Sequence, residues 1–150
     1  MPDATHVHDV LRGAGADVAS VEVIEHLGPV VRCSCEQAPT VLSALNASHP
    51  FLADLFGVDT GEAVDVVYHL RSFERDEDVR VYVTHPYGGT LVSVWERYPS
   101  ALMPERECAE MLDLKLSGHP NPKHLLLTSA SEPMLLKRVA IRTAEEVRDR

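Results

Sequence analysis

The residues that could do chemistry in this chain cluster in one short stretch: Glu105, Arg106, Glu107 and Glu110, followed by Gly118, His119, Pro120 and Lys123. An arginine set among carboxylates can make charge-assisted hydrogen bonds to a facing surface. Arg106, Glu110 and Asp113 share one helical stripe, and Cys108, Met111 and Leu112 make an apolar stripe beside it. Pro104 suits the first helical position, where its missing N–H costs nothing. Glu105 and Glu107 then fall in the first turn, where the helix dipole favours negative charge. Gly118 is expected to stop the helix, and Pro120 and Pro122 to keep it from resuming. Residues 119–123 should therefore form an extended strap that displays His119 and Lys123. Holding a neighbour fits this chemistry better than transforming a substrate.

Other candidates are weaker. There is no Gly-X-Ser-X-Gly, no phosphate-cradling glycine loop and no His-Glu-X-X-His. Cys33 and Cys35 point to the same side of an expected strand and read as core cysteines, since an iron–sulfur cluster usually needs four. His6 and His8 lack two further placeable ligands for zinc. His69 falls mid-strand on the side opposite Tyr68 and reads as a packed or hydrogen-bonded histidine.

Positioning that stretch requires a frame. A chain of 150 residues has the size of one domain. Its net charge of -9 argues against nucleic acid or anionic lipid held by a general basic field. No apolar run approaches the roughly 18 residues of a membrane span, and the start lacks signal-peptide character, so a cytoplasmic protein with reduced thiols is expected. Periodicity predicts a helix over 5–13, paired strands over 18–24 and 29–35, and helices over 38–46 and 51–56. A covered strand follows over 62–73, with a hairpin through 74–78 into the alternation Val79, Val81, Val83. After a loop at 86–89, residues 91–98 read as helical. The sum is an α+β two-layer domain over residues 1–127, a mixed sheet of about five strands with helices on one face. Residues 128–150 read as a linker and charged tail, helical or disordered at 144–150.

The spacing Glu105-Arg106-Glu107, two residues, Glu110, Met111-Leu112, six residues, His119, three residues, Lys123, Leu125-Leu126 resembles the signature of the respiratory-chain NADH dehydrogenase 30-kDa subunit family. That family includes the C subunit of NADH-quinone oxidoreductase (complex I) and energy-converting hydrogenase relatives. Phe51 to Asp59 and Val66-Val67-Tyr68-His69-Leu70 are similar to its leucine-aspartate helix and Val-Val-Tyr-His-Leu strand. Two departures stand out. Leu112-Asp113-Leu114 replaces the family's usual Phe-Gly-Ile, and the acidic-tryptophan segment and basic tail are absent or degenerate.

The resemblance implies a cofactor-free structural subunit with no catalytic residues of its own, peripheral on the inner face of the cell membrane. Its implied partners are the large quinone-site (49-kDa-like) subunit, or the large subunit of an energy-converting [NiFe] hydrogenase or formate hydrogenlyase, with iron–sulfur subunits nearby. Glu105, Arg106, Glu107, Glu110, Gly118, His119, Pro120 and Lys123 would then form the interface. A free-standing ligand-binding module is the rival reading, and it predicts a defined apolar pocket.

Overall fold

A computed structural model describes residues 4–16 and 20–138. The start of the first strand at residue 18 and the charged tail at 144–150 lie outside the described residues. In chain order the elements are α1 (Thr5–Gly13), β1 (Ser20–Ile24), β2 (Gly28–Ser34), α2 (Ala38–Asn46) and β3 (Phe51–Asp59). They continue with β4 (Val64–Ser72), β5 (Glu77–His85), β6 (Thr90–Val92), a 3-10 turn (Pro99–Ala101), α3 (Leu102–Met111) and β7 (Lys115–Ser117).

Strands β1 to β5 form one mixed sheet in the order β1-β2-β5-β4-β3. β2 and β5 run parallel, with Val31 opposite Val81, and the remaining pairs are antiparallel. The alternation in β4 and β5 sets the inner face: Val64, Val66, Tyr68 and Leu70 lie beside Val79, Val81 and Val83, all buried. Val7 and Leu11 of α1, Val41, Leu42 and Leu45 of α2, Cys108 of α3 and Leu112 just past its end complete that core. Helices on one face of a five-stranded mixed sheet is the expected α+β architecture, and α1 and α2 have the expected bounds.

Two segments that read as helical are not. Residues 51–56 belong to β3, paired along its length with β4. A β-bulge between Leu52 and Asp54 puts both Leu52 and Leu55 on the core side although they are three apart. A strand with one extra residue thus copies the spacing of a helix. Residues 91–98 contain β6 and a turn rather than a helix. Leu91, Val94 and Tyr98 are buried at helical intervals, but β6 pairs in parallel with β7 (Leu91 opposite Leu116).

The signature helix also differs at both ends. α3 starts at Leu102, straight out of the 3-10 turn, so Pro104 is third in it and still within the turn whose N–H groups have no helical partner. It ends at Met111, not at Gly118, because β7 intervenes and Gly118 (φ 75°) follows that strand.

Candidate functional site

The helix stop falls on the residue that replaces the resembled glycine. Asp113 has φ 55°, and the Leu114 N–H reaches back to Ala109 O at 2.9 Å. This is a Schellman closure with aspartate in the left-handed position that glycine favours. The turn sends the chain through β7 and then into an irregular strap, residues 118–138, that runs back along α3.

Two signature side chains hold the first half of the strap. Arg106 donates from Nε to Lys123 O at 2.7 Å and from an Nη to His124 O at 2.8 Å. Glu110 accepts the N–H groups of Leu125 (2.9 Å), Leu126 (2.8 Å) and Leu127 (3.3 Å). Burial resists ionisation of Glu110, but these three donors outweigh it and hold its pKa below the usual glutamate range. Rather than forming one exposed stripe, Arg106 and Glu110 spend their hydrogen bonds inside the chain. Glu107 and Lys123 are exposed, as are Gly118 and Pro120.

Glu105 is fully buried. Its carboxylate accepts the Ser93 hydroxyl at 2.5 Å and the Val94 N–H at 2.7 Å, which fixes the turn after β6. Burial raises its pKa, against the pull of those two donors. The strap does not display His119, whose ring is buried. His119 Nε2 lies 2.8 Å from Leu102 O and Nδ1 accepts the Asn121 N–H at 2.9 Å. A carbonyl on one side and an N–H on the other specify the neutral Nε2–H tautomer. The 3.9 Å approach of Nε2 to Glu105 is therefore no ion pair. The indole N–H of Trp95 donates to Gly118 O at 3.2 Å and ties the start of the strap to the same turn.

The far end of the strap is held by residues that sequence reasoning did not single out. Asp59, at the end of β3, accepts the Tyr87 hydroxyl at 2.5 Å, the Lys137 N–H at 2.8 Å and the Gly61 N–H at 2.8 Å. Those donors, the tyrosine foremost, lower its pKa. Leu135 N–H donates to Met111 O at 3.0 Å, Leu136 is buried in the core, and Arg138 meets Asp113 at 3.2 Å. Residues 134–138, assigned from sequence to a linker and tail, thus return to the domain. The Gly61 contact is local, but the two partners that tie Asp59 to the loop and the strap lie 28 and 78 residues away, beyond what its neighbours in sequence could signal.

Outside this region, His69, on the sheet face opposite Tyr68, stands 3.2 Å from Asp78 without hydrogen-bond geometry between them. Cys33 and Cys108 are buried and Cys35 is partly so. Burial pushes the thiols of Cys33 and Cys108 up to about 12. Among the described residues no group of three or more histidine, cysteine or acidic side chains is placed to hold a metal ion, and no helix is long and apolar enough to cross a membrane. A cavity of about 870 Å³ beside the β4–β5 hairpin is lined mainly by charged groups such as Glu74, Arg75, Glu77 and Arg80, with Leu27 among them.

Comparison with known proteins places this architecture. The family model described as "Respiratory-chain NADH dehydrogenase, 30 Kd subunit" matches residues 31–143. The NADH-quinone oxidoreductase C subunit of Moorella thermoacetica is 38% identical over 82 residues, covering 51% of this chain and 53% of the relative. The NADH-quinone oxidoreductase C/D subunit of Cronobacter sakazakii is 31% identical over 127 residues, 75% of this chain and 21% of the relative. The chain thus spans about half, or less, of the curated relatives it matches. A chain in the structure of the membrane-bound sulfane sulfur reductase, an archaeal respiratory membrane complex, shares the fold with a TM-score of 0.72 at 19% identity, over 89% of this chain and 81% of that one. The match across residues 31–143, carried on this frame and this helix, shows that the chain belongs to the respiratory-chain NADH dehydrogenase 30 Kd subunit family.

Proposed function

We propose that this chain is a cofactor-free structural subunit of a membrane-associated, complex I-like NADH-quinone oxidoreductase, and that it docks on the large quinone-site subunit through the strap and the exposed side of α3. The observation that carries the reading is an irregular surface segment fixed from within. Arg106, Glu110 and Asp59 satisfy the strap's backbone, while Leu126, Met134 and Leu135 stay exposed along it and Met103 on α3. Large apolar groups on a pre-shaped polar scaffold suit a partner surface. The C/D relatives, such as those of Cronobacter sakazakii and Methylococcus capsulatus, join a C part and a D part in one name and support direct contact between the two.

On this reading the chain has no redox centre, and electrons pass through iron–sulfur clusters of neighbouring subunits. The chain offers three cysteines, whereas an iron–sulfur cluster usually takes four. The chain sits peripherally on the inner face of the cell membrane through the complex. A second reading, the equivalent subunit beside a [NiFe] hydrogenase-type large subunit, draws support from the fold shared with the archaeal respiratory membrane complex.

The test is affinity purification of the tagged full chain from its native cells in mild detergent, with partners identified by mass spectrometry. Recovery of a quinone-site subunit with cluster-bearing neighbours is expected, together with its loss in a Leu126→Asp, Leu135→Asp variant that melts normally. A nickel-iron large subunit in its place would select the second reading. Recovery of the chain alone and monodisperse would overturn both.

A further inference from the structure

His49 lies in the link between α2 and β3 and is fully buried. Its main chain is pinned: the N–H donates to Leu45 O at 2.7 Å, and the carbonyl accepts the Tyr98 hydroxyl at 3.2 Å. The ring is less settled. Nδ1 is 3.0 Å from Ser48 Oγ, but Nε2 has no hydrogen-bond partner among the described residues and stands 3.4 Å from the Glu77 carboxylate at the start of β5. That carboxylate is shared with Arg75, whose Nε lies 3.5 Å away. From α1, the ring of His6 approaches to 6.5 Å between centroids, and its own buried Nε2 is also unpartnered there. Glu77 and Arg75 from the hairpin and His6 from α1 are the charged or titratable groups that face His49. His6, Arg75 and Glu77 also line the hairpin cavity, which gives protons a route to the cluster.

We propose that His49 is an acid-operated release for α1: neutral, it lets α1 seat on α2, and protonated, it loosens that helix while the sheet stays intact. A proton on His49 places a cation on a ring with no solvent exposure of its own, and its nearest counter-charge is already engaged by Arg75. Any charge on His6 adds like-charge repulsion across the α1 contact. The element able to yield is α1, which buries only Val7 and Leu11 and lies outside the family-matched span beginning at residue 31. Glu77, by contrast, is held in a nine-residue strand of the central sheet. Burial depresses the pKa of His49, with His6 and Arg75 acting the same way and Glu77 opposing. The seating free energy is therefore complete above about pH 6.5 and is lost as pH falls from there through the folded-state value.

Amide hydrogen exchange on the full chain at about pH 7.5 and about pH 5.5, corrected for intrinsic rates, reads the device directly. One unit below the unfolded imidazole value, α1 amides should lose up to about tenfold in protection. Amides of β4 and β5 should hold theirs, and His49→Gln should abolish the difference. Because that variant could misfold, the wild-type His49 ring is followed in parallel by NMR. Its titration should coincide with the loss of α1 protection. Equal loss across the sheet, unchanged α1 protection, or a His49 ring that stays neutral while α1 loosens would each overturn the proposal.

Discussion

Replacing Glu110 by glutamine tests whether the strap is held by the chain itself. The carboxylate accepts three backbone N–H groups, from Leu125 and Leu127 on one oxygen and Leu126 on the other. A glutamine keeps the shape but has one carbonyl oxygen, so at most two N–H groups keep a weaker, uncharged acceptor and at least one faces an NH₂. Hydrogen bonds to a charged group contribute about 1.5–3 kcal/mol each against about 1 for neutral ones, and a stranded N–H costs about 1–3. The strap anchorage should therefore lose about 2–4 kcal/mol, which lowers amide protection at 125–127 by about 30- to 700-fold. The core of β4 and β5 should keep its protection, because the hydrogen bonds of Glu110 go to the strap. In the wild type the depressed pKa means that anchorage is full above about pH 4.3 and is lost as pH falls through the lower folded-state value. Unchanged protection at 125–127 in Glu110→Gln would refute the reasoning, since those three N–H groups would then not depend on the carboxylate.

Three further outcomes follow from the frame. A Cβ at Gly57 would stand 2.1 Å from Leu112 Cδ1 and 2.9 Å from Cys108 Sγ, so Gly57→Ala should cost about 1–3 kcal/mol in thermal melts. Adding Leu112→Ala should make the alanine less costly than it is alone, and strict additivity would remove the clash as its cause. Asp113→Gly relieves a left-handed residue at the helix stop and should raise stability by up to about 1 kcal/mol, unless the Arg138 contact outweighs that gain. A lower melting temperature would assign Asp113 to the ion pair. His85 is buried with neither ring nitrogen hydrogen-bonded among the described residues, and burial lowers its pKa, so its contribution is present above about pH 6.5 and lost in acid. His85→Leu should melt near or above wild type and flatten the acid side of the stability curve. A variant as acid-sensitive as wild type would discount that histidine.

The sequence carried most of the sheet because burial writes itself into β5 as a clean alternation and into β4 as the same alternation interrupted only by buried Val67. It misled in β3 and around β6, each for a definite reason. At β3 the bulge moved Leu55 to the face of Leu52, and Gly57 looked like a helix stop although its role is to admit Leu112. Around β6 the spacing of Leu91, Val94 and Tyr98 satisfied a helix, but the Val94 N–H had been claimed by Glu105 from eleven residues downstream. The signature residues were legible as a set, yet their partners were not. A carboxylate that will be buried under a returning strap carries the same letter as one facing water. Asp59 was silent for that reason, and His119 looked displayed because its flanking prolines say extended, not outward.

Under the proposed docking role, these placements change what the signature charges would contribute. Glu110 and Asp59 accept backbone N–H groups, and Arg106 donates to carbonyls, of a strap that has no helix or strand of its own to satisfy them. An irregular segment left to water would lose several kcal/mol of ordering entropy on meeting a partner, at about 1–2 kcal/mol per residue fixed. Bolting it from beneath moves that cost into folding of the subunit. The exposed leucines and methionines can then meet a neighbour already in place. Charge reversal at Arg106 or Glu110 would on this account weaken assembly by releasing the strap, not by breaking a contact across the interface. The two routes are separable. Loss through the strap is accompanied by faster exchange at 125–127 in the isolated chain, whereas loss of a direct contact leaves that exchange as it was.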